Sequence, residues 1–340
     1  MFNPSKVKLT TVLVAMVAVL FAGAALSGGM VFDDDGAAAV PEGGPDKTPP
    51  SAISRLEVVV MENQSYRNVI GNPAAPYTNR LANRYGLATH MYAVTHPSLP
   101  NYLAMTTGRT YGLVDDSPGR TFPGPDLMTQ LGSGGSSWQT FFAGVPESCY
   151  TGPAVSGYSK GLNPFVLSRR ILASPGSCSN LKPMARLSSE LSADKLPDLA
   201  WISPSLTNDS HDSNARTGDA YLAKLVPRLI PSLGPNGALF IVWDEGKTAH
   251  SRGKTSAGID GTRGGGRIPA IVVGPGVRSG AKTSTPMTSY SMLRFIEHTF
   301  GVPYLNHAAT VSDAPLRSLF ARPPMVHAQG TPLRSGNGSR

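Results

Sequence analysis

One apolar run in this chain ends directly in two acidic residues, and it constrains the fold more than any other feature. Residues 238–242 are apolar at every position, and Trp243, Asp244 and Glu245 follow them. A short run that is apolar on both faces is typical of a strand buried inside a parallel sheet. The pattern therefore predicts an α/β fold with two carboxylates at the end of an inner strand.

An earlier segment repeats this arrangement. Residues 56–61 form a second strand candidate, and Glu62 and Asn63 follow it. Open α/β sheets place their sites at the carboxyl ends of strands, so we expect the two strand ends to meet. Adjacent carboxylates repel each other, and a hard cation bound by oxygen ligands relieves the repulsion. The two strand ends together predict a metal-dependent enzyme.

Strand and helix patterns alternate along the rest of the chain. Further strand candidates lie at residues 199–202 and 268–273, and helical patterns at 220–230 and 290–300. This alternation predicts an α/β fold with a doubly wound, mostly parallel central sheet flanked by helices. Residues 109–195 are rich in Gly, Pro and Ser and are expected to form insertions over the sheet edge.

The two ends of the chain differ in composition from its body. Residues 1–32 combine a basic flank, an apolar stretch and small residues, which predicts a signal peptide or an uncleaved N-terminal membrane anchor. The composition predicts a flexible linker at residues 33–52, one folded domain at residues 53–322 and a disordered tail at residues 323–340. Both interpretations of the first segment predict a secreted or extracytoplasmic protein. Membrane contact through this segment is expected in the anchored case.

The chain has two cysteines, Cys149 and Cys178. An oxidising compartment would allow them to form a disulfide, which would restrain the Gly/Pro/Ser-rich segment between them. Two free thiols are the alternative.

The charge balance favours anionic partners. The chain has 30 Lys and Arg against 22 Asp and Glu, a formal net charge of +8. This charge suits phosphate esters or phospholipid surfaces, although a generic basic surface gives the same balance. Nucleic acid is not expected as a partner, because the sequence has no interleaved aromatic residues and no recognisable binding module. A basic, Gly-rich stretch at residues 252–267 is either a lid over an anionic substrate or a solvated loop.

Ser98 lies where a helix is expected to begin. Pro100 suits the first turn of a helix, so Ser98 would face the free amides that stabilise a phosphoryl group or an alkoxide. Ser98 could instead serve only as a helix cap. The carboxylates of Glu62 and Asp244 favour a catalytic role over a cap, because a metal ion that they bind could activate Ser98 as a nucleophile. His96, two residues earlier, could supply a proton or contact the phosphate.

A polar cluster at residues 208–212 follows the strand candidate at 199–202. It contains Asp209 and His211, and His211 could bind a metal ion or act as a general acid. A polar turn that caps the next helix is the alternative. Its position after a strand favours the functional interpretation.

Five motifs, in their order along the chain, resemble the bacterial phosphoesterase family. That family includes acid phosphatases and phospholipases C and belongs to the alkaline phosphatase superfamily. The resemblance extends over residues 55–305 and implies an alkaline-phosphatase-like fold. The motifs lie at residues 62–66, 96–102, 208–212, 243–246 and 267–277.

The resemblance implies a role for each motif. The implied catalytic residues are Ser98, His211 and Asn101, and the implied substrate-binding residues are His96 and Arg267. The implied ligands of a divalent metal ion are Glu62, Asn63, Asp209, Asp244 and Glu245. Relatives often carry a histidine where this chain has Ser289, between Thr288 and Tyr290, and this difference favours one metal ion over two.

Three functions compete at this point. The favoured one is a secreted, metal-dependent phosphomonoesterase of the acid phosphatase type. It would act through a phosphoserine on small phosphate monoesters or phosphoinositide headgroups. The second is a phospholipase C-type phosphodiesterase on the same scaffold. The third is a non-catalytic anion-binding surface protein, and the retention of Ser98 together with the implied ligands argues against it.

Overall fold

The computed structural model of the chain describes residues 53–155, 157–247 and 264–322. The predicted signal or anchor segment (1–32), linker (33–52) and tail (323–340) lie outside these residues, as does most of the basic stretch at 252–267. No helix within the described ranges is long and apolar enough to cross a membrane.

Two sheets organise the described part of the chain. The strands are β1 (Arg55–Met61), β2 (Gly86–Ala88), β3 (Met91–Tyr92), β4 (Trp138–Phe142), β5 (Leu181–Pro183), β6 (Leu199–Ser203), β7 (Gly237–Trp243), β8 (Arg267–Ile268), β9 (Ala270–Val273), β10 (Lys282–Thr283) and β11 (Met287–Thr288). The central sheet has the order β10-β2-β9-β7-β1-β6-β4-β5, and a small sheet has the order β11-β3-β8. In the central sheet β9 runs antiparallel to both of its neighbours, and every other strand pair is parallel.

Helices cover the central sheet. They are α1 (Tyr66–Val69), α2 (Pro76–Arg84), α3 (Ser98–Thr107), α4 (Leu127–Ser133), α5 (Arg169–Leu172), α6 (Pro175–Ser179), α7 (Ala185–Ser192), α8 (Ala215–Leu229), α9 (Ser289–Phe300) and α10 (Ala314–Arg317). Helix α2 packs against α8, and α3 packs against α9. The predicted α/β class, with a mostly parallel central sheet flanked by helices, is confirmed.

The innermost strands are those with apolar side chains on both faces. All residues of β7 are buried, as are those of β1 from Leu56 onward. Strand β1 lies between β6 and β7, with Val59 beside Ile202 on one side and Ile241 on the other. Strands covered on both faces stabilise the fold by removing apolar surface from water. The sheet therefore holds the ends of β1 and β7 rigidly side by side.

The predicted strand at residues 268–273 is wrong as a single element. Pro269 separates β8, in the small sheet, from β9, in the central sheet. Proline has no backbone N–H and cannot donate to a ladder, so the chain changes sheets there. A continuous apolar run did not reveal this change or the antiparallel direction of β9.

Residues 109–195 contribute more than the predicted insertions. They supply β4 and β5, which extend the central sheet beyond β6, together with helices α4 to α7. Cys149 and Cys178 form a disulfide in this region, with their Cα atoms 5.0 Å apart. The expected disulfide is confirmed.

Candidate active site

The ends of β1 and β7 meet at one edge of the sheet. Met61 pairs with Trp243, and the amide of Asp244 donates to the carbonyl of Met61 at 3.0 Å. The next residue after Glu62, Asn63, donates its amide to Asp244 Oδ1 at 3.1 Å. The two acidic strand ends found in the sequence therefore form one site.

Asn63 turns the chain sharply as β1 ends. Its φ of 46° lies in the left-handed region, which asparagine tolerates better than most residues with a Cβ atom. The turn leaves the Asn63 side-chain oxygen 3.4 Å from Ser98 Oγ.

Ser98 is the first residue of α3 and is buried. Its Oγ lies 3.2 Å from Glu62 Oε2, so the hydroxyl donates to the carboxylate. The first amides of a helix have no partner within the helix and, with the helix dipole, favour an anion. The structure thus places a hydroxyl nucleophile candidate at an anion-stabilising helix end, in contact with residues that follow β1.

Tyr102 is a member of the site that the sequence interpretation missed. Its hydroxyl donates to Glu62 Oε1, the carboxylate oxygen that does not face Ser98. Tyr102 lies one helical turn after Ser98, so the two side chains share a face of α3. That spacing was the signal available in the sequence. Burial, followed by the charge of Glu62, raises the pKa of the Tyr102 hydroxyl, so Tyr102 is a hydrogen-bond donor in the working pH range.

Four carboxyl groups of the predicted site are buried: Glu62, Asp209, Asp244 and Glu245. Burial raises the pKa of Glu62, and the charges of Asp244 and Asp209 raise it further. Burial likewise raises the pKa of Asp209 to about 8, and burial with the charge of Glu245 raises the pKa of Asp244 to about 7. Each carboxyl group is thus destabilised by its acidic neighbours, which is the repulsion that a bound cation relieves.

The donor set fits a hard divalent cation in its chemistry. Asp244 Oδ2 is buried and has no hydrogen-bond partner within the described residues. Across those residues, no group of three or more His, Cys, Asp or Glu side chains is placed so that it could hold a metal ion. Ser98 Oγ instead contacts a mixed set, a carboxylate oxygen of Glu62 and an amide oxygen of Asn63. Asp244 adds a second carboxylate, which accepts from the Asn63 amide. Oxygen donors of this mixed type suit Mg²⁺ or Ca²⁺.

Glu245 faces a different partner from the one that the sequence interpretation expected. Its Oε2 lies 2.7 Å from His96 Nδ1 and 3.4 Å from Asn101 Nδ2. Its carboxylate therefore orients His96, whereas the resemblance implied a metal ligand. His96 Nε2 is buried and has no partner in the described part of the chain. Burial lowers the pKa of His96, and the charge of Asp244 opposes this shift.

Asn101, which the resemblance implied to be catalytic, has both ends of its side-chain amide hydrogen-bonded to backbone groups. Its Oδ1 accepts hydrogen bonds from the amides of Val94 and Thr95 at 2.9 and 3.1 Å. Its Nδ2 donates to the carbonyls of Thr95 and Pro97 at 2.8 and 3.0 Å. Because both ends of the amide are engaged, Asn101 holds the segment before Ser98 in place.

Arg267, also expected to bind substrate, is engaged elsewhere. Its Nε donates to the carbonyl of Thr89 at 2.5 Å, and its guanidinium lies 3.8 Å from the centroid of the Tyr66 ring. These contacts hold the start of β8 against the segment between β2 and β3 and against the first residue of α1. The adjacent Gly265 packs so closely on Thr95 that a Cβ atom would meet its carbonyl oxygen at 2.1 Å.

His211 lies on the outer side of the site. Its amide donates to Asp209 Oδ1 at 2.8 Å, while its exposed ring contacts Asp212 Oδ1 at 2.7 Å. The structure therefore brings Asp209 into the buried cluster and leaves His211 at the surface. The N-cap of α8 is Asn214, which follows the polar segment, so residues 208–212 do not themselves supply the cap that the alternative interpretation expected.

Comparison with known proteins shows which sequences the chain resembles. The phosphoesterase family matches residues 70–303, more than half of the chain. The phosphatidylinositol-3-phosphatase of Mycobacterium tuberculosis is 29% identical over 280 residues, which cover 81% of this chain and 87% of that protein. The acid phosphatase of Aspergillus fumigatus is 28% identical, over 75% of this chain and 56% of its own length.

Solved structures share the fold. The phosphonate monoester hydrolase of Silicibacter pomeroyi aligns with a TM-score of 0.54 at 13% identity, covering 80% of this chain and 77% of its own. A Vibrio parahaemolyticus protein of the alkaline phosphatase superfamily aligns with a TM-score of 0.52 at 12% identity, covering 77% and 71%. These alignments confirm the alkaline-phosphatase-like fold.

Proposed function

Because the chain belongs to the phosphoesterase family and is a phosphoric ester hydrolase, we propose that it hydrolyses phosphate monoesters through a phosphoserine at Ser98. The observation that carries this proposal is the position of Ser98. Its hydroxyl opens helix α3 and lies 3.2 Å from Glu62 Oε2 and 3.4 Å from Asn63 Oδ1. The proposal places the nucleophile, the anion-stabilising helix end and the candidate metal ligands within one site.

The ligands proposed for a single divalent cation are Glu62, Asn63 and Asp244. When bound, the cation would lower the pKa of the Ser98 hydroxyl and offset negative charge on the phosphoryl group. Asp209, buried beside them, adds negative charge that favours a cation. Glu245 is not in the proposed ligand set, because its carboxylate contacts His96.

The chain's own groups account for the movement of atoms. Ser98 Oγ attacks phosphorus and passes its proton toward Glu62 Oε2, the acceptor it already contacts. The new Oγ–P bond forms as the ester P–O bond breaks, and the first amides of α3 stabilise the phosphoryl oxygens. The departing alkoxide takes a proton from a histidine, for which His96 Nε2 and the exposed ring of His211 are the candidates. Water then attacks phosphorus as the Oγ–P bond breaks. A proton from this water restores the histidine, and Ser98 Oγ takes back the proton held by Glu62, which releases phosphate and free Ser98.

Phosphate monoesters are the proposed substrate class, with phosphoinositide headgroups among them. One relative, matched over 87% of its length, carries the name phosphatidylinositol-3-phosphatase. Two fungal relatives, matched over 60% and 56% of their lengths, carry the names probable acid phosphatase and acid phosphatase. The net charge of +8 favours an anionic substrate.

An extracytoplasmic location is part of the proposal. The disulfide between Cys149 and Cys178 suits an oxidising compartment. The composition of residues 1–32 agrees with export.

The test compares a phosphate monoester with a diester. The full chain is assayed on p-nitrophenyl phosphate and bis(p-nitrophenyl) phosphate at pH 5 to 8, with Mg²⁺, Mn²⁺, Ca²⁺ or Zn²⁺ or with a chelator. The wild type, Ser98→Ala and Ser133→Ala are measured in parallel, since Ser133 is an exposed serine on α4 that bonds only to the carbonyl of Thr129. We expect cation-dependent monoester turnover that Ser98→Ala abolishes and Ser133→Ala retains.

Two results would overturn the proposal. A preference for the diester would favour a phospholipase C-type phosphodiesterase. Full activity in Ser98→Ala would rule out the phosphoserine.

A further inference from the structure

A carboxylate from a distant loop occupies the helix end beside the nucleophile. Asp116 Oδ1 accepts a hydrogen bond from the amide of Leu99 at 2.7 Å. Leu99 directly follows Ser98 in the first turn of the ten-residue helix α3. First-turn amides are the groups that bind a phosphate at a helix N-terminus. Asp116 therefore holds a donor that a substrate phosphoryl oxygen would otherwise use.

The charge of Asp116 acts inside the site. Burial first, and then the charge of Asp116, raise the pKa of Glu245 to about 9. Burial raises the pKa of Asp116, and the hydrogen bond from the Leu99 amide and the charge of His211 oppose this shift. Asp116 is thus close enough to Glu245 for its charge to act on a group that contacts His96.

The loop that carries Asp116 packs its backbone against Gly161 and exposes side chains to solvent. A Cβ atom at Gly161 would meet the backbone oxygen of Asp116 at 2.6 Å, so the glycine allows the loop to settle against it. Asp116 itself is exposed, and nearby Val114 is 83% exposed. The carboxylate can therefore leave the Leu99 amide for solvent without disrupting the core.

We propose that Asp116 is a specificity-determining residue, whose carboxylate competes with the substrate phosphoryl group for the Leu99 amide. The proposal rests on the function proposed above. Coulomb repulsion scales with the product of the charges, so Asp116 repels a dianionic monoester about twice as strongly as a monoanionic diester. Asp116 consequently weakens the binding of dianionic monoesters and of inorganic phosphate, the product, and thereby limits product inhibition.

A purely structural role makes a different prediction. An acidic side chain on a first-turn amide stabilises the helix as a cap. If capping were the whole role, removal of the charge would lower the melting temperature and leave the relative binding of monoester, diester and phosphate unchanged.

The experiment uses the full chain with the cation that supports turnover, at a pH of about 7.5, above the second pKa of a phosphate monoester. KM and kcat are measured for p-nitrophenyl phosphate and its bis ester, with the inhibition constant of inorganic phosphate. Asp116→Asn is compared with Asp115→Asn, which removes the same charge next door. Asp115 contacts the Ser117 amide and Arg120 and does not contact Leu99.

In Asp116→Asn we expect KM for the monoester and the inhibition constant of phosphate to fall about fivefold, the effect of one nearby charge at the protein surface. KM for the diester should fall less, and kcat should change less than KM. Asp115→Asn should leave all three constants near the wild-type values. Gly161→Ala, which displaces the Asp116 backbone without changing any charge, should shift them in the same direction as Asp116→Asn.

Unchanged or weaker phosphate binding in Asp116→Asn would overturn the inference, as would equal effects of Asp115→Asn and Asp116→Asn. These results are distinct from failure of the proposed function. In that case the wild type would hydrolyse neither ester, and inorganic phosphate would give no shift in its melting temperature.

Discussion

The hydroxyl of Tyr102 donates to Glu62, so the helix that carries Ser98 also holds the carboxylate that Ser98 contacts. One turn of α3 thus fixes both the nucleophile and its nearest acidic neighbour. These two contacts between α3 and the end of β1 therefore set the position of Ser98 relative to Glu62.

Tyr102→Phe tests the importance of this attachment. The change removes one hydrogen bond to Glu62 and leaves the ring packed. Because Glu62 loses its orientation, we expect kcat/KM and the apparent affinity for the activating cation to fall about 10- to 100-fold. Metal titration of activity provides the measurement. Tyr158→Phe is the control, since that buried hydroxyl bonds to Asn163; equal losses in both variants would contradict the account.

His96 and Glu245 should act as a unit. Their side chains meet at 2.7 Å, so either His96→Asn or Glu245→Gln disrupts the same contact. We expect each single change to lower kcat/KM at least about tenfold. The double variant should lose little more, which corresponds to a coupling energy of about 1–3 kcal/mol. Additive losses in the double-mutant cycle would show that Glu245 acts independently of His96. His298→Asn, at a histidine that contacts Tyr304, serves as the control.

Stability should fall as the pH rises from acidic to neutral, partly because of Glu57. This buried carboxyl accepts from Ser232 Oγ at 2.6 Å, and burial raises its pKa from 4.5 to about 7. Since the folded state holds the proton more tightly, the contribution of Glu57 to stability is complete below pH 4.5 and is lost as the pH rises to about 7.

Glu57→Gln should remove this part of the pH dependence. Relative to the wild type, we expect the variant to gain at most about 3 kcal/mol of unfolding free energy between pH 5 and pH 8. Denaturant unfolding at the two pH values measures the difference. Glu147→Gln, at an exposed position, should behave as the wild type does. If the unfolding free energy of the wild type and that of Glu57→Gln change equally between pH 5 and pH 8, the prediction is wrong.

Reduction of the disulfide should destabilise the domain. Cys149 and Cys178 are 29 residues apart, and closure of a loop of this length restricts the unfolded chain by about 3–4 kcal/mol. We expect a reductant to lower the melting temperature by several degrees. The variant with both cysteines changed to serine should melt at this lower temperature with or without reductant. If the reduced wild type, with both cysteines titrated as free thiols, melts at the same temperature as the oxidised protein, the prediction is wrong.

The sequence predicted the centre of the fold because its strands are apolar on both faces. Residues 56–61 and 238–243 could be assigned from that pattern, and the topology of open sheets then brought Glu62 and Asp244 together. The same pattern failed at Pro269, because the apolar residues before and after this proline did not reveal that the two segments join different sheets.

The candidate site was less predictable, because the position of a residue in a motif does not determine which neighbours its side chain contacts. Glu245 follows Asp244 in the chain but turns to His96. Asn101 lies in the nucleophile motif but bonds to the segment before Ser98. Asp116 had no signal at all, since its contact with Leu99 depends on how a loop folds back on the helix.

During turnover, Ser98 is proposed to carry the phosphoryl group. The most direct test quenches the wild type with acid during hydrolysis of p-nitrophenyl phosphate, digests it and locates covalent phosphate by mass spectrometry. We expect a single phosphoryl group on Ser98, absent from Ser98→Ala together with all turnover. Phosphate on another residue, or turnover retained by Ser98→Ala, would contradict it.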